Sequence, residues 1–211
     1  MRVNRENLST IFDAISRTMS EHRSYLITLD QQAGDGDLGI SMDEGYRAIA
    51  TFLQTTTEDD LGKLFMSFAT LFNEAAPSSL GTITSFAFMG MAKQLKGKTE
   101  AGLDELIEAM EAGIARIMEK AKSKPGEKTI LDSLYPAVKA LDEHRADDAR
   151  TAFAAAAQAA AKGAEMTKGM MPVHGRAAYY GERSVGLLDG GAEVGRLLFE
   201  AIARCLAHEE G

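Results

Sequence analysis

The sequence predicts an all-α fold in a single domain, and three observations predict it. Apolar residues recur at three- and four-residue spacing along nearly the whole chain, the period of an amphipathic helix. No segment alternates apolar and polar residues as a half-buried strand would. No shift in composition divides the 211 residues, a length that suits one sizeable core.

The elements follow in order. Leu8, Ile11, Phe12, Ile15, Met19 and Leu26 form one stripe and predict a helix over 4–29. A second helix is expected over 41–54. The third starts near Glu58-Asp59-Asp60, acidic residues suited to an N-terminal turn, and carries Leu61, Leu64, Phe65, Phe68 and Phe72. Pro77-Ser78-Ser79 resets the chain before a helix over 79–95. Gly97-Lys98-Thr99 separates that from 101–122, with the stripe Leu103, Leu106, Ile107, Met110, Ile114 and Ile117. The loop Lys122–Thr129 leads to helices over 130–143, 147–168 and 189–208. The alanine-rich stretch 151–161 suits either close approach of a neighbouring helix or an exposed helix of high propensity. Between 170 and 190 the pattern weakens and glycines gather, with a short helix expected at Ala177–Tyr180.

Composition excludes several functions. With 23 basic and 31 acidic residues the net charge is -8, and no basic patch interleaves with aromatics, which argues against nucleic acid. No apolar run reaches membrane-spanning length, and the N-terminus lacks the apolar region of a secretory signal. Cys205 is the one cysteine, so no internal disulfide forms and a reducing cytoplasm is the expected location.

The chemistry concentrates at Leu29-Asp-Gln-Gln-Ala-Gly-Asp-Gly-Asp-Leu-Gly39, where Asp30, Asp35 and Asp37 fall within eight residues between two helices. Carboxylates this close repel unless a positive charge joins them. A hard divalent cation with oxygen ligands and open positions for phosphate fits that need. The spacing lacks the later ligands and closing Glu of an EF-hand. The bland alternative is that the Asp-Gly pairs only turn the chain and cap the next helix.

Other contacts are less specific. Ser78, Ser79, Gly81 and Thr82 sit where a helix begins and either receive phosphate oxygens or form an ordinary cap; Thr129 offers the same choice. Arg176 and Arg183 flank Tyr179-Tyr180 and either neutralise a diphosphate or pair with Asp189. His22, His144, His174 and His208 have no metal-ligand spacing. Cys205 reads as packed, and core filling outranks contact with a base for Met166, Met170 and Met171. No Walker A or Rossmann glycine fingerprint is present.

Three ordered segments carry a resemblance: Leu29-Asp30 with Gly34–Gly39, Lys124-Pro-Gly-Glu-Lys-Thr129 with Leu131-Asp132, and Gly175-Arg-Ala-Ala-Tyr179 running into Gly181–Gly186. On these the chain resembles the nucleotide-binding subunit, or L domain, of dihydroxyacetone kinase over essentially its whole length. The resemblance implies a barrel of eight antiparallel helices with nucleotide, ADP or ATP, at one end. It implies that Asp30, Asp35 and Asp37 hold two magnesium ions. Leu38, Gly39, Ile40 and Ser41 would surround the phosphates with Ser78, Ser79, Gly81 and Thr82. Ile130, Arg176 and the turn Asp189-Gly190-Gly191 would enclose the rest. It further implies a separate K subunit that binds the small ketone. In some relatives a phosphohistidine-bearing phosphotransferase subunit recharges the bound ADP.

Departures accompany the match. Where the family has a Gly-Gly-Ala-Ser-Gly-like loop, this chain reads Asn73-Glu-Ala-Ala-Pro-Ser-Ser-Leu-Gly-Thr82, with Glu74 adding negative charge. Leu38 replaces a usual histidine, Ala121 a glycine, and Asp189-Gly-Gly-Ala192 an Asp-Pro-Gly-Ala turn. The leading expectation is phosphoryl transfer to a small hydroxyketone, active only with partners and needing no catalytic side chain from this chain. A non-catalytic metal-nucleotide regulator and a helical scaffold with capping aspartates remain alternatives. Donor identity, substrate identity and oligomeric state, a homodimer included, stay open.

Overall fold

Ten helices and one pair of two-residue strands account for most of residues 2–208, the part of the chain that the computed structural model describes. The strand pair, β1 (Arg2–Val3) and β2 (Ala101–Gly102), is antiparallel with Arg2 opposite Gly102. The helices are α1 (Arg5–Glu21), α2 (Arg23–Asp30), α3 (Leu38–Thr55), α4 (Leu61–Ala75), α5 (Ser79–Gln94), α6 (Leu103–Ala121), α7 (Leu131–Glu143), α8 (Ala149–Met166), α9 (Ala177–Tyr180) and α10 (Gly190–His208). None is long and apolar enough to cross a membrane.

Eight of these helices close a ring in chain order: α1, α3, α4, α5, α6, α7, α8 and α10, with α10 returning to α1. Short loops make sequential neighbours antiparallel, so this is the helical barrel that the resemblance implied. Phe12, Phe65, Phe68, Phe72 and Phe88 fill one half of the interior, with Phe12–Phe68 centroids 4.9 Å apart. Ile107, Leu131, Phe153 and Phe199 fill the other half. A cavity of about 160 Å³ lies between them, lined almost entirely by apolar side chains such as Ile11, Phe88, Ile114 and Leu198. A charged ligand would lose its hydration there without compensation, so the functional site must lie at a barrel end.

Alternation decides which loops share an end. Those at 31–37, 76–78, 122–130 and 167–189 gather at one end. The opposite end is tied by the β1–β2 pair, by Arg5 Nε donating to Asp59 (2.9 Å), and by Leu61 N–H donating to Lys98 O (2.7 Å).

Local differences from the expected elements have physical causes. The helix expected over 4–29 bends at His22 (φ -95°, ψ 4°), whose Nδ1 lies 2.9 Å from Thr18 O. The bend lets α2 lean on the start of α3, where a Cβ at Gly39 would strike Arg23 O. α3 begins at Leu38 rather than 41, so the aspartate hinge runs straight into a helix N-terminus. The strand pair is too short to leave a periodicity. In α8, Ala152, Ala156, Ala160 and Ala164 are buried, and a Cβ at Gly163 would strike Asp132 O. The alanine stretch therefore serves close approach to α7.

Candidate functional site

The hinge between α2 and α3 folds the three aspartates onto one point. One carboxylate oxygen from each of Asp30, Asp35 and Asp37 lies within 4.8 Å of the others. Asp30 is delivered by the last turn of α2, and its Oδ2 accepts the Gly36 N–H at 2.8 Å. Two glycines make this geometry available. Gly36 takes φ +80°, and a side chain at Gly34 would overlap the Asp30 carboxylate.

Asp37 bears on the capping half of the bland alternative, whereas the Asp30–Gly36 hydrogen bond is the turn that alternative expects. Asp37 occupies the N-cap position of α3, yet its side chain accepts no hydrogen bond from the helix. The capping alternative is therefore not what the chain does with it. Burial, followed by repulsion from Asp35 and Asp30, holds the Asp37 carboxyl above its ordinary range. A set of oxygen donors this compact suits magnesium, calcium or manganese rather than a thiophilic metal. The residues fit such an ion.

Around the aspartates, close contacts bring together helix starts remote in sequence. A Cβ at Gly190 would strike Leu38, and one at Gly191 would press on Ile130. The first turns of α3, α7 and α10 thus meet. Leu38, Gly39 and Ser41 are buried in α3, while Ile40 is exposed. Ser78 caps α5: its Oγ accepts the Gly81 N–H at 3.1 Å. Ser79 and Thr82 lie in the first turn of α5, at the same barrel end as the aspartates by alternation. Thr129 likewise serves its own turn, its Oγ1 accepting the Leu131 N–H at 3.2 Å.

Arg176 comes down from the 167–189 segment, and its Nη2 lies 2.6 Å from Asp35 Oδ2. This ion pair is with Asp35 and not with Asp189, the protein partner expected for it. Arg183 stacks over Tyr180, 5.4 Å from the ring centroid. Met166 and Met171 are about half exposed, so core filling is not their role. Tyr179 and Val173, in the same segment as Arg176, are exposed as well. Cys205 packs against the core as expected.

Several organising residues escaped the sequence reading. Asp132 is buried and accepts two N–H groups from the loop before α7, from Gly126 (2.5 Å) and Thr129 (2.7 Å). His174 Nε2 lies 2.6 Å from Glu127 Oε2, and that hydrogen bond is the main cause holding the Glu127 carboxyl below its usual range. Lys128 is buried, and burial pulls its pKa down while Asp189 pulls it back up. The nearest sequence signal was the shared motif around Lys124–Asp132, which marked these positions without assigning them work.

Asp189 gives a pH prediction. Burial raises its carboxyl to about 6, although it accepts the Ala192 N–H at 2.7 Å. An acid raised above its unfolded value binds more protons when folded, so its contribution to stability falls as pH rises from about 4 to about 6. The difference in melting temperature between the unmodified protein and Asp189→Asn should shift in the variant's favour across that window and then level off. A flat difference from pH 4 to 8, measured by calorimetry, refutes this.

Residues 32–204 match the DAK2 domain model. The chain is 34% identical over 184 residues to the ADP-binding subunit DhaL of PEP-dependent dihydroxyacetone kinase 1 from Listeria innocua, covering 87% of this chain and 88% of that protein. It is 27% identical over 186 residues to the corresponding subunit of Escherichia coli K12, covering 87% and 89%. Triokinase/FMN cyclase of Rattus norvegicus is 29% identical over 204 residues, covering 95% of this chain and 35% of that protein. The crystal structure of C. freundii dihydroxyacetone kinase with AMP-PNP and Mg2+ superposes with a TM-score of 0.75 at 26% identity, over 93% of this chain. The chain spans about a third of the length of that structure, at 33%.

Proposed function

The chain belongs to the DAK2 domain family, and from that membership we propose that it is the nucleotide-carrying subunit of a dihydroxyacetone-kinase-like complex. In this reading the whole chain acts as one domain. It passes a phosphoryl group from magnesium-bound nucleotide to a small hydroxyketone held by a K-type partner. Two relatives matched along most of their length, from Listeria innocua and Escherichia coli, are ADP-binding subunits of PEP-dependent kinases. That favours a fixed ADP, recharged by a phosphohistidine-bearing partner, over exchangeable ATP.

The observation that carries the reading is Asp37, standing at the start of α3 without capping it, with Asp30 and Asp35 converging on the same point. These three carboxylates would hold the magnesium. Bound there, magnesium would supply positive charge against the charge that builds on transferring oxygens. Leu38, Gly39 and Ile40 lie in the first turn of α3, where backbone N–H groups have no helical partner and point at anions. Arg176 sits close enough to add a guanidinium to the same phosphate. Ile130, Asp189, Gly190 and Gly191 would flank the nucleotide on the α7 and α10 side. The chain supplies position and field. The attacking group is the substrate's hydroxyl.

Titration with ADP, with and without magnesium, tests the binding half by calorimetry. Binding that requires magnesium is expected; absence of any magnesium or nucleotide effect on heat or melting would leave only the helical scaffold. A second reading, a non-catalytic regulator, is favoured by one observation. Ser78 occupies the Gly81 N–H, so α5 has one donor fewer for phosphate. Reconstitution with a K-type subunit and a phosphohistidine carrier separates the two: turnover supports the kinase, and binding without turnover supports the regulator.

A further inference from the structure

The segment that brings Arg176 to the aspartates has almost no buried face of its own. Between 170 and 186 only Pro172 and Ser184 are buried. Such a strip has little apolar burial to order it, and a guanidinium on it would sample many positions. Besides the Gly186 N–H donated to Lys168 O at 2.7 Å, what holds it is the loop before α7. Lys128 Nζ donates to Ser184 O at 2.6 Å and to Met170 O at 3.4 Å, so one ammonium ties the segment near both ends. The neighbouring residue holds the middle: Glu127 O accepts the Val173 N–H at 3.3 Å, and Glu127 Oε2 lies 2.6 Å from His174 Nε2.

The lysine is committed to this task by its own backbone. It takes φ 61°, a left-handed conformation that is uncommon outside glycine, and is only 4% exposed. Asp132 fixes the loop that presents it through the Gly126 and Thr129 N–H groups. A buried ammonium is costly to desolvate, and strained backbone at such a point is found where it serves a site. Here both observations fall on one residue, facing carbonyls on either side of Arg176.

We propose that Lys128 is a positioning residue of the nucleotide site, clasping the 170–184 segment near both ends and thereby fixing Arg176 over Asp35. The proposal rests on the reading of that site as a magnesium-nucleotide site, but the clasp itself can be read without nucleotide. Lys128→Met keeps the apolar stem and removes the donors. Hydrogen–deuterium exchange of 170–186 should then rise at least about tenfold, with the barrel helices unchanged. Nucleotide affinity should fall by roughly tenfold, and by no further amount when Arg176→Met is already present, since Lys128 acts through that arginine. Manganese binding without nucleotide should not weaken.

A lysine that merely supports the fold would weaken cation and nucleotide binding together and add its loss to that of Arg176→Met. Additive losses, or unchanged exchange in 170–186, overturn the proposal. Should Lys128→Met lose its helical circular dichroism, His174→Ala makes the same test from the exposed side of the clasp. Faster exchange around 173–176, with affinity lost only where Arg176 is present, is then expected, and additivity again overturns it. If the unmodified protein binds no nucleotide, the site reading fails while the exchange measurement still decides the clasp.

Discussion

Replacing Asp35 with alanine should abolish magnesium-dependent nucleotide binding and leave the barrel as stable as before. The two halves of this expectation come from the same crowding. Three carboxylate oxygens within 4.8 Å repel one another, so removing one relieves strain in protein without a bound cation. The ion pair given up, Asp35 with Arg176, joins side chains 39% and 67% exposed, and pairs this open contribute at most about 1 kcal/mol. With a cation the balance reverses. Losing a ligand from a phosphate-bearing site removes several kcal/mol of charge stabilisation, a fall of more than ~100-fold in affinity. Calorimetry of the magnesium-ADP titration reads the first half, and thermal melting reads the second. Retained tight binding, or a collapse of the fold, contradicts the assignment. Asp59→Ala, an exposed acid at the far end of the barrel, is the control that should leave nucleotide binding unchanged.

The parts of the molecule legible in the sequence are those where a repeating physical demand leaves a repeating pattern. The stripes of α4 and α6 were readable because each turn must present an apolar residue to the barrel interior. The convergence of the aspartates was readable because a short glycine-rich hinge between two helices leaves three carboxylates within reach of one point. The bend at His22 was not, because Met19 and Leu26 are buried on either side of it and the stripe runs through unbroken. The early start of α3 was hidden by glycines that look like loop on both sides of the boundary. Least legible were the long-range polar contacts. Nothing in spacing says that Arg176 meets Asp35 rather than Asp189, or that Lys128 is buried rather than solvated. Such contacts depend on which loops the barrel brings to one end, and that follows only from closure of the ring. Alternation groups the loops; it does not choose partners among them.

Arg176→Met should move cation affinity and nucleotide affinity in opposite directions. Arg176 Nη2 lies 2.6 Å from Asp35 Oδ2, an oxygen that the proposed cation would use as a ligand. A cation arriving alone must therefore displace a guanidinium. Removing that competitor should tighten manganese binding in the absence of nucleotide, by no more than about fivefold, since an exposed pair contributes at most ~1 kcal/mol. In the proposed site, a bound phosphate would give the arginine a new partner. Its contact to an anionic oxygen is charge-assisted, and loss of such a contact costs about 1.5–3 kcal/mol, or roughly a 10- to 100-fold weaker nucleotide. Titration of manganese alone, followed by nucleotide at saturating manganese, separates the two effects on one sample. An arginine that only braced the 167–189 segment would give losses of the same sign in both titrations. Arg176→Lys sharpens the test, because an ammonium keeps the charge but cannot form the planar bidentate contact. It should leave manganese binding near the unmodified value and recover only part of the nucleotide affinity.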